Sequence, residues 1–461
     1  MSVNKPKMNI KSFIKDCLGI IPPSYRLGRN YRNMLGFLAE AQWWDRVRIE
    51  TWQFEKLQQL LKYAYKNVPG YYSLYKDAGI VPEDIRSLED IKLLPCLTKE
   101  ILRDNLSLFT SMASSKWGQV YTTTSGSTGV PVGFYHSRVS RNIEKAFIHS
   151  SWSRAGWNPN DISAVLRGAF VGSPEEFWKY DAYDRTLLLS SYYLTEQTYY
   201  GFRDKILQYI PRALQAYPSS ATILADLVTT FADTTKIHFD IILLGSENLY
   251  PWQKDKILAA FPDSKLFAWY GHAEQAILAT MCEYSDHYHL WPYYGLTEIA
   301  NENGVEVDNG EMGELIGTSF WNYVTPFIRY RTRDLARKGR NRCADCKREF
   351  VQLDFIEGRL QEFIVTQLGR RISIAALNMH SDIFDNVKQF QFHQKIPGKI
   401  RLKIVPQNRY TERDTKRIRF EILKKLGPDM ELDFDFVERI PQAVGGKYLF
   451  LKQELELKYG A

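Results

Sequence analysis

The chain lacks any apolar run of roughly 18 residues, the length that a membrane-spanning helix needs. Residues 1–21 carry lysines around a short Leu18-Gly19-Ile20-Ile21 patch, without the apolar core of a secretory signal. A first helix packed on its own domain is expected there instead. Cysteine is scarce and odd in number: Cys17, Cys96, Cys282, Cys343 and Cys346. That argues against a disulfide framework and for a reducing, cytoplasmic setting. The chain carries 60 Lys and Arg against 53 Asp and Glu, a net charge of +7. These bases are scattered rather than massed in a block, so no nucleic-acid partner is expected. Internal repeats and low-complexity stretches are absent too, which excludes a solenoid or a long linker.

What is present is a globular composition, 44% hydrophobic and 25% charged. Aromatics reach 14%, which suits both large cores and pockets for flat ligands. A chain of 461 residues exceeds one core, so two or three domains are expected. Residues from about 30 to 115 read as helical. Trp52, Phe54, Leu57, Leu60, Leu61 and Tyr65 recur at helical spacing between Glu50 and Val68. Pro82 and Leu97 each open a shorter helix, the latter capped by Thr98. From about 160 the texture changes to short apolar runs, Ile162–Leu166 and Asp240–Gly245, alternating with helical stretches at Phe202–Ile210 and Ser220–Phe231. This predicts α/β structure with buried strands. Residues 290–356 are strand-rich, and the tail alternates strands with an amphipathic helix over Thr411–Leu426, stopped by Gly427.

Against this background one segment is unusual: Thr122-Thr123-Thr124-Ser125-Gly126-Ser127-Thr128-Gly129-Val130-Pro131. Glycines permit close backbone approach, and successive N–H groups with hydroxyls make an anion-binding concavity. No lysine follows the second glycine, so it is not a Walker-type loop. By composition it suits a phosphate cradle and a solvated polar turn about equally.

Further motifs follow in order. They are Gly245-Ser246-Glu247, Tyr270-Gly271-His272-Ala273-Glu274, Tyr330-Arg331-Thr332-Arg333-Asp334-Leu335, Gly358-Arg359 and Gly446-Lys447. Together with Thr124–Pro131 they resemble the adenylate-forming (acyl-CoA synthetase) superfamily. The similarity is greatest to the phenylacetate–CoA ligase branch and its capsular polysaccharide biosynthesis members, and it spans nearly the whole chain. The resemblance implies an α/β fold with a large N-terminal adenylation domain, residues 1–357, holding α/β sheets and a β-rich subdomain. Its first 115 residues or so form the helical segment. A small mobile α+β C-terminal domain, 358–461, follows.

The resemblance also implies chemistry: ATP-dependent formation of an acyl-adenylate, then transfer to coenzyme A. Transfer to an amine, giving an amide, is the alternative, and a non-catalytic nucleotide-binding protein is the second. Thr124, Ser125, Gly126, Ser127, Thr128 and Gly129 would hold phosphates. Gly245, Ser246, Glu247, Tyr270 and Gly271 would flank the nucleotide, Asp334 would accept from the ribose hydroxyls, and Arg359 would stand at the hinge. Glu274 would hold Mg²⁺, a hard cation that takes oxygen ligands. Lys447 would set its ammonium between the substrate carboxylate and the α-phosphate. A second copy, Tyr294-Gly295-Leu296-Thr297-Glu298, fits the usual spelling better, but only Tyr270 follows Gly245 by one helix and one strand. Val132 stands where many relatives have a lysine.

A second constellation is Cys282, His287, His289, Cys343 and Cys346. Cys-x-x-Cys plus a cysteine and a histidine makes a Cys₃His set, which suits structural zinc. The resemblance favours His289 over His287. The acid pocket is expected among His149, Trp152, Arg167, Tyr192, Tyr193 and Trp269.

Overall fold

The computed structural model describes residues 19, 21–123, 132–167, 170, 175–191, 193–231, 237–359, 363–369, 371–373, 382–384, 386–441 and 449–455. The expected first helix at 1–21 thus lies largely outside the described residues, as do Thr124–Pro131, Tyr192 and Gly446-Lys447.

Helices dominate the beginning: α1 (Gly28–Ala41), α2 (Arg46–Asn67), α3 (Pro69–Asp77) and α4 (Lys99–Asp104). Asp45 caps α2, accepting from the Arg48 N–H, and Ile49, Leu57, Leu60, Leu61 and Ala64 form its buried stripe. Thr98 caps α4 through the Ile101 N–H at 3.3 Å. The helix expected at Pro82 is a single 3₁₀ turn, Pro82–Asp84. A hairpin of β1 (Gln119–Thr123) and β2 (Gly133–Ser137) frames the Ser/Thr/Gly segment, and α5 (Arg138–Arg154) follows it.

One sheet then organises the middle of the chain. Its strands are β3 (Ser163–Arg167), β4 (Trp178–Asp181), β5 (Thr186–Ser190), β6 (Ala213–Ala216), β7 (Ile241–Gly245) and β8 (Lys265–Gly271). It continues with β9 (Leu278–Met281), β10 (Tyr288–Leu290), β11 (Gly295–Ala300), β12 (Met312–Ser319), β13 (Tyr330–Lys338) and β14 (Gln352–Arg359). The strand order is β11-β12-β13-β14-β10-β9-β8-β7-β6-β3-β5-β4. Strands β5, β3, β6, β7 and β8 run parallel, with α6 (Tyr199–Tyr209), α7 (Pro218–Phe231) and α8 (Pro251–Ala260) between them in sequence. All five residues of β7 are buried, as its unbroken apolar run requires of a central parallel strand. The β-rich segment that the sequence sets apart is the antiparallel continuation of this same sheet. Among the described residues three cores lie along it. One joins the N-terminal helices to β11–β14, a second packs α6, α7 and α8 on the parallel strands, and a third seats α1 and α5 against β9 through Tyr31, Phe147 and Leu278.

The tail has a small pair, β15 (Phe363–Val365) with β16 (Arg371–Ser373). A four-stranded sheet follows, β19-β18-β17-β20, with β17 (Val387–Ile396), β18 (Lys399–Pro406), β19 (Glu431–Phe436) and β20 (Leu451–Gln453). Helix α9 (Glu412–Leu426) covers it through Ile418, Ile422 and Leu426. Its start is set by Thr411, whose N–H and hydroxyl both donate to Asp414, and its stop by Gly427 at φ +99°. No helix among the described residues is long and apolar enough to cross a membrane.

Candidate active site

In a parallel sheet, ligands collect at the carboxyl ends of the strands. Here β7 ends in Gly245 and β8, paired beside it, ends in Tyr270-Gly271. Gly245 is there for space: a Cβ would lie 2.6 Å from the Trp269 ring, which stacks across it. Ser246 then takes φ +69°, a turn that throws the chain off the sheet. Glu247 accepts from the Ser219 N–H and hydroxyl, both at 3.0 Å, at the start of α7. Its carboxylate therefore pins the loop to α7. Asn248 donates to the Glu357 carbonyl at 2.9 Å, tying the same loop to β14.

The segments around Tyr270 and Tyr330 meet directly. Tyr270 donates through its hydroxyl to Asp334 Oδ2 at 2.6 Å, across 64 residues of sequence. Tyr330 donates to Glu274 Oε1 at 2.9 Å, and His272 Nδ1 lies 3.2 Å from Glu274 Oε2. Both carboxylates are buried. Burial alone would raise the Glu274 carboxyl, but the hydrogen bond and charge of His272, helped by Tyr330, outweigh it and hold the group down at about 2. It is thus an ionised carboxylate with a lone pair left on each oxygen. The β1–β2 hairpin is fastened to the same place, since His136 Nε2 lies 3.0 Å from the Ala273 carbonyl oxygen. Asn322 donates to the Tyr135 carbonyl at 3.0 Å from the other side. So the strands that flank the Ser/Thr/Gly segment stand beside Glu274.

Glu298 is elsewhere. It lies on β11 and makes a two-pronged ion pair with Arg329, at 3.0 Å from Nε and 2.7 Å from Nη2. Arg329 also donates to the carbonyls of Lys92 and Leu94 at 2.8 and 2.6 Å. The second Tyr-Gly-x-x-Glu copy is therefore consumed in holding the N-terminal helices to the sheet. Arg359 ends β14 with its backbone opposite Asp334, and the preceding Gly358 has φ +89°. The side chain of Arg359, and Lys447 as a whole, lie outside what is described.

Among the expected pocket residues, His149 belongs to a core. Its Nδ1 lies 2.7 Å from the Tyr31 hydroxyl, and its ring packs on Trp157 at 4.7 Å. Burial pushes it down to about 3, so it is neutral. Trp152 packs against Trp269 at 5.3 Å, and Arg167 stands over the Trp269 ring at 4.9 Å. Sequence reasoning missed Tyr330, His272 and Ser219 as partners. Tyr330 carried a signal, since it opens the segment that ends in Asp334.

The cysteine set converges. Cys282 follows β9, His289 lies in β10, and Cys343 and Cys346 flank one turn after β13. All four are buried, with ligand atoms within 4.8 Å of one another. Cys282 and Cys343 sulfurs are 3.9 Å apart, and Cys346 Sγ is 3.7 Å from His289 Nε2. Tetrahedral zinc with bonds of about 2.3 Å to sulfur and about 2.0 Å to nitrogen demands separations of about 3.8 and 3.5 Å. The donor set fits. His287 points away and lies 3.2 Å from Asp354. The described cysteines form no disulfide.

The geometry can now be set beside known proteins. Residues 364–454 match the family described as the CapK C-terminal domain. The phenylacetate–coenzyme A ligase of Escherichia coli strain K12 is 27% identical over 328 residues, 69% of this chain and 72% of that one. The protein CapK of Staphylococcus aureus is 23% identical over 421 residues, 86% and 88% of the two chains. The chain is similar to the phenylacetate–CoA ligase and CapK branch of the adenylate-forming superfamily. Its fold is that of solved superfamily structures. A 2-hydroxyisobutyryl-CoA ligase in the postadenylation state, complexed with 2-HIB-AMP, superposes with TM-score 0.71 at 18% identity, covering 91% of this chain and 94% of that one. An open conformation of that ligase gives 0.55.

Proposed function

We propose that this chain activates a carboxylic acid with ATP as an acyl-adenylate and passes the acyl group to coenzyme A. The observation that carries this is the paired contact Tyr270–Asp334 and Tyr330–Glu274 at the carboxyl ends of β7 and β8, which unites motifs 64 and 56 residues apart. The curated relatives named as phenylacetate–CoA ligases support a carboxylic acid as substrate and coenzyme A as acceptor.

In this reading a carboxylate oxygen of the acid attacks the α-phosphorus. The bond to the β-phosphate breaks and pyrophosphate leaves. The thiolate sulfur of coenzyme A then attacks the carbonyl, the bond to AMP breaks, and the thiol proton passes to solvent. Asp334 accepts from the ribose hydroxyls, displacing or sharing the Tyr270 hydroxyl. Gly245-Ser246-Glu247 and Tyr270-Gly271 border the base, and Thr124–Gly129 wrap the phosphates. Glu274 offers the oxygen ligand for Mg²⁺, which when bound neutralises phosphate charge. Residues 1–357 act as the adenylation domain, and 358–461 turn about Gly358-Arg359 between the two half-reactions. Cys282, His289, Cys343 and Cys346 hold structural zinc. A reducing, cytoplasmic setting is the one that keeps such thiols available to a metal.

Acid-dependent ATP–pyrophosphate exchange tests the reading. Its absence with a broad acid panel would leave only nucleotide binding. Adding coenzyme A or amines to the preformed adenylate then identifies the acceptor.

The two carboxylates of the repeated motif provide a paired prediction. Glu274→Gln should reduce exchange tenfold or more, well beyond what its loss of stability explains, because a charge that opposes phosphate through a cation is removed along with the carboxylate that His272 and Tyr330 hold ionised. Glu298→Gln should do the reverse. It leaves the buried Arg329 guanidinium without its charge partner, at a cost of about 3 kcal/mol. Thermal melts and exchange rates on both variants decide it, and equal rate loss would refute the assignment.

A further inference from the structure

Arg167 ends β3, on the same edge of the sheet from which Gly245–Glu247 and Trp269–Gly271 leave. Its Nε and Nη2 are both shut off from solvent and have no hydrogen-bond partner among the described residues. The guanidinium carbon sits 4.9 Å from the Trp269 ring centroid and 5.9 Å from that of Tyr217. Trp269 in turn lies across Gly245, so Arg167, Trp269 and the β7 loop form one continuous wall. The nearby carboxylate, Glu247, has its oxygens engaged by the Ser219 N–H and hydroxyl. Burial pushes the guanidinium down, to about 10, yet leaves it fully charged at neutral pH.

A shielded guanidinium is costly unless something supplies the opposite charge. Ring faces compensate for part of this and leave the N–H groups unmet. Nε and Nη2 form one edge of the guanidinium fork, and two parallel N–H groups on one edge match the two oxygens of a carboxylate. Resting on the adenylation reading above, we infer that Arg167 selects an acid carrying a second carboxylate, bound by that edge while the first is activated. Trp269 and Tyr217 flank the carbon segment between the two. A dicarboxylic acid is then the substrate class, in place of a neutral aryl or alkyl acid.

The test compares exchange with size-matched pairs: succinate against butyrate, glutarate against valerate, and 4-carboxyphenylacetate against 4-methylphenylacetate. Wild type should prefer the diacid of at least one pair by on the order of 100-fold in kcat/KM. Arg167→Met should abolish that preference, and Arg167→Lys should restore part of it. A merely structural role would lower activity on both members of a pair alike and leave the ratio unmoved. ATP binding, measured by calorimetry, keeps the two readings apart. Wild type that binds ATP yet shows no diacid preference overturns the role of Arg167 alone. Wild type that neither binds ATP nor catalyses exchange overturns the adenylation reading. If Arg167→Met does not fold, the wild-type panel decides by itself.

Discussion

Chelating the metal expected at Cys282, His289, Cys343 and Cys346, or changing Cys346→Ser, should lower the melting midpoint by roughly 10 °C, a loss of several kcal/mol. The size follows from what the cluster joins. Two donors come from the β9–β10 hairpin and two from a turn after β13, so one ion held there would tie together two parts of the sheet. The surroundings add an electrostatic part. Arg154 is buried over the Trp291 ring at 4.1 Å, and none of its guanidinium nitrogens has a hydrogen-bond partner among the described residues. Burial pushes it down to about 9, with Glu283, Cys346 and Cys282 pulling the other way. Arg348 and Glu283 neutralise each other at 2.7 Å. Three thiolates, one neutral imidazole and Zn²⁺ would sum to a single negative charge beside Arg154. Without the ion that charge would no longer be fixed beside Arg154. Metal analysis should find about one zinc per chain. Less than half an equivalent after gentle purification, or an unchanged midpoint in chelator, would sink the assignment.

The parts of this molecule that were legible in sequence are those fixed by short-range physics. Thr411 and Gly427 bound α9 because a cap and a left-handed stop act within one turn. The run Ile241–Gly245 identifies a buried strand because such a strand has no polar face. The Cys-x-x-Cys pair declares itself, since two soft ligands from one turn need only that spacing. What depends on distant segments was not legible. Nothing local says that the β-rich stretch continues the α/β sheet, because β14–β10 pairing joins residues far apart in sequence. His149 reads as a pocket residue until Tyr31, from the first long helix, is seen to claim its Nδ1. Glu274 and Glu298 sit in nearly the same words; spacing from Gly245 favours Glu274, but the partner that occupies Glu298, Arg329, is visible only in the fold. Glu247 shows the same limit, since its partner Ser219 stands on a different helix.

Lys447→Ala should reduce ATP–pyrophosphate exchange by roughly 10²–10³ while leaving ATP binding and the melting midpoint unchanged. The adenylation step brings two anions together, a carboxylate and the α-phosphate, in a site from which water is excluded. Their repulsion is large there because the effective dielectric is low. An ammonium held between them offsets it most at the transition state, where the oxygen–phosphorus distance is shortest. In the proposed function, ground-state ATP binding would rely instead on Asp334 and Thr124–Gly129. Lys447 itself lies outside the described residues, but the chain just after it is well anchored. The Leu449 carbonyl accepts from Gln391 Nε2 at 2.9 Å. Phe450 packs on Tyr250, Trp252 and Phe390 at 5.9, 5.8 and 5.4 Å. Tyr250 directly precedes α8, at the end of the loop that begins with Gly245. The second half-reaction provides the control. Attack of a thiolate on preformed acyl-adenylate does not bring a carboxylate to phosphorus, so Lys447→Ala should retain most of that rate. Exchange near the wild-type rate in this variant would remove Lys447 from the mechanism. Equal loss in both half-reactions would mean that the residue shapes the site rather than neutralising the attack.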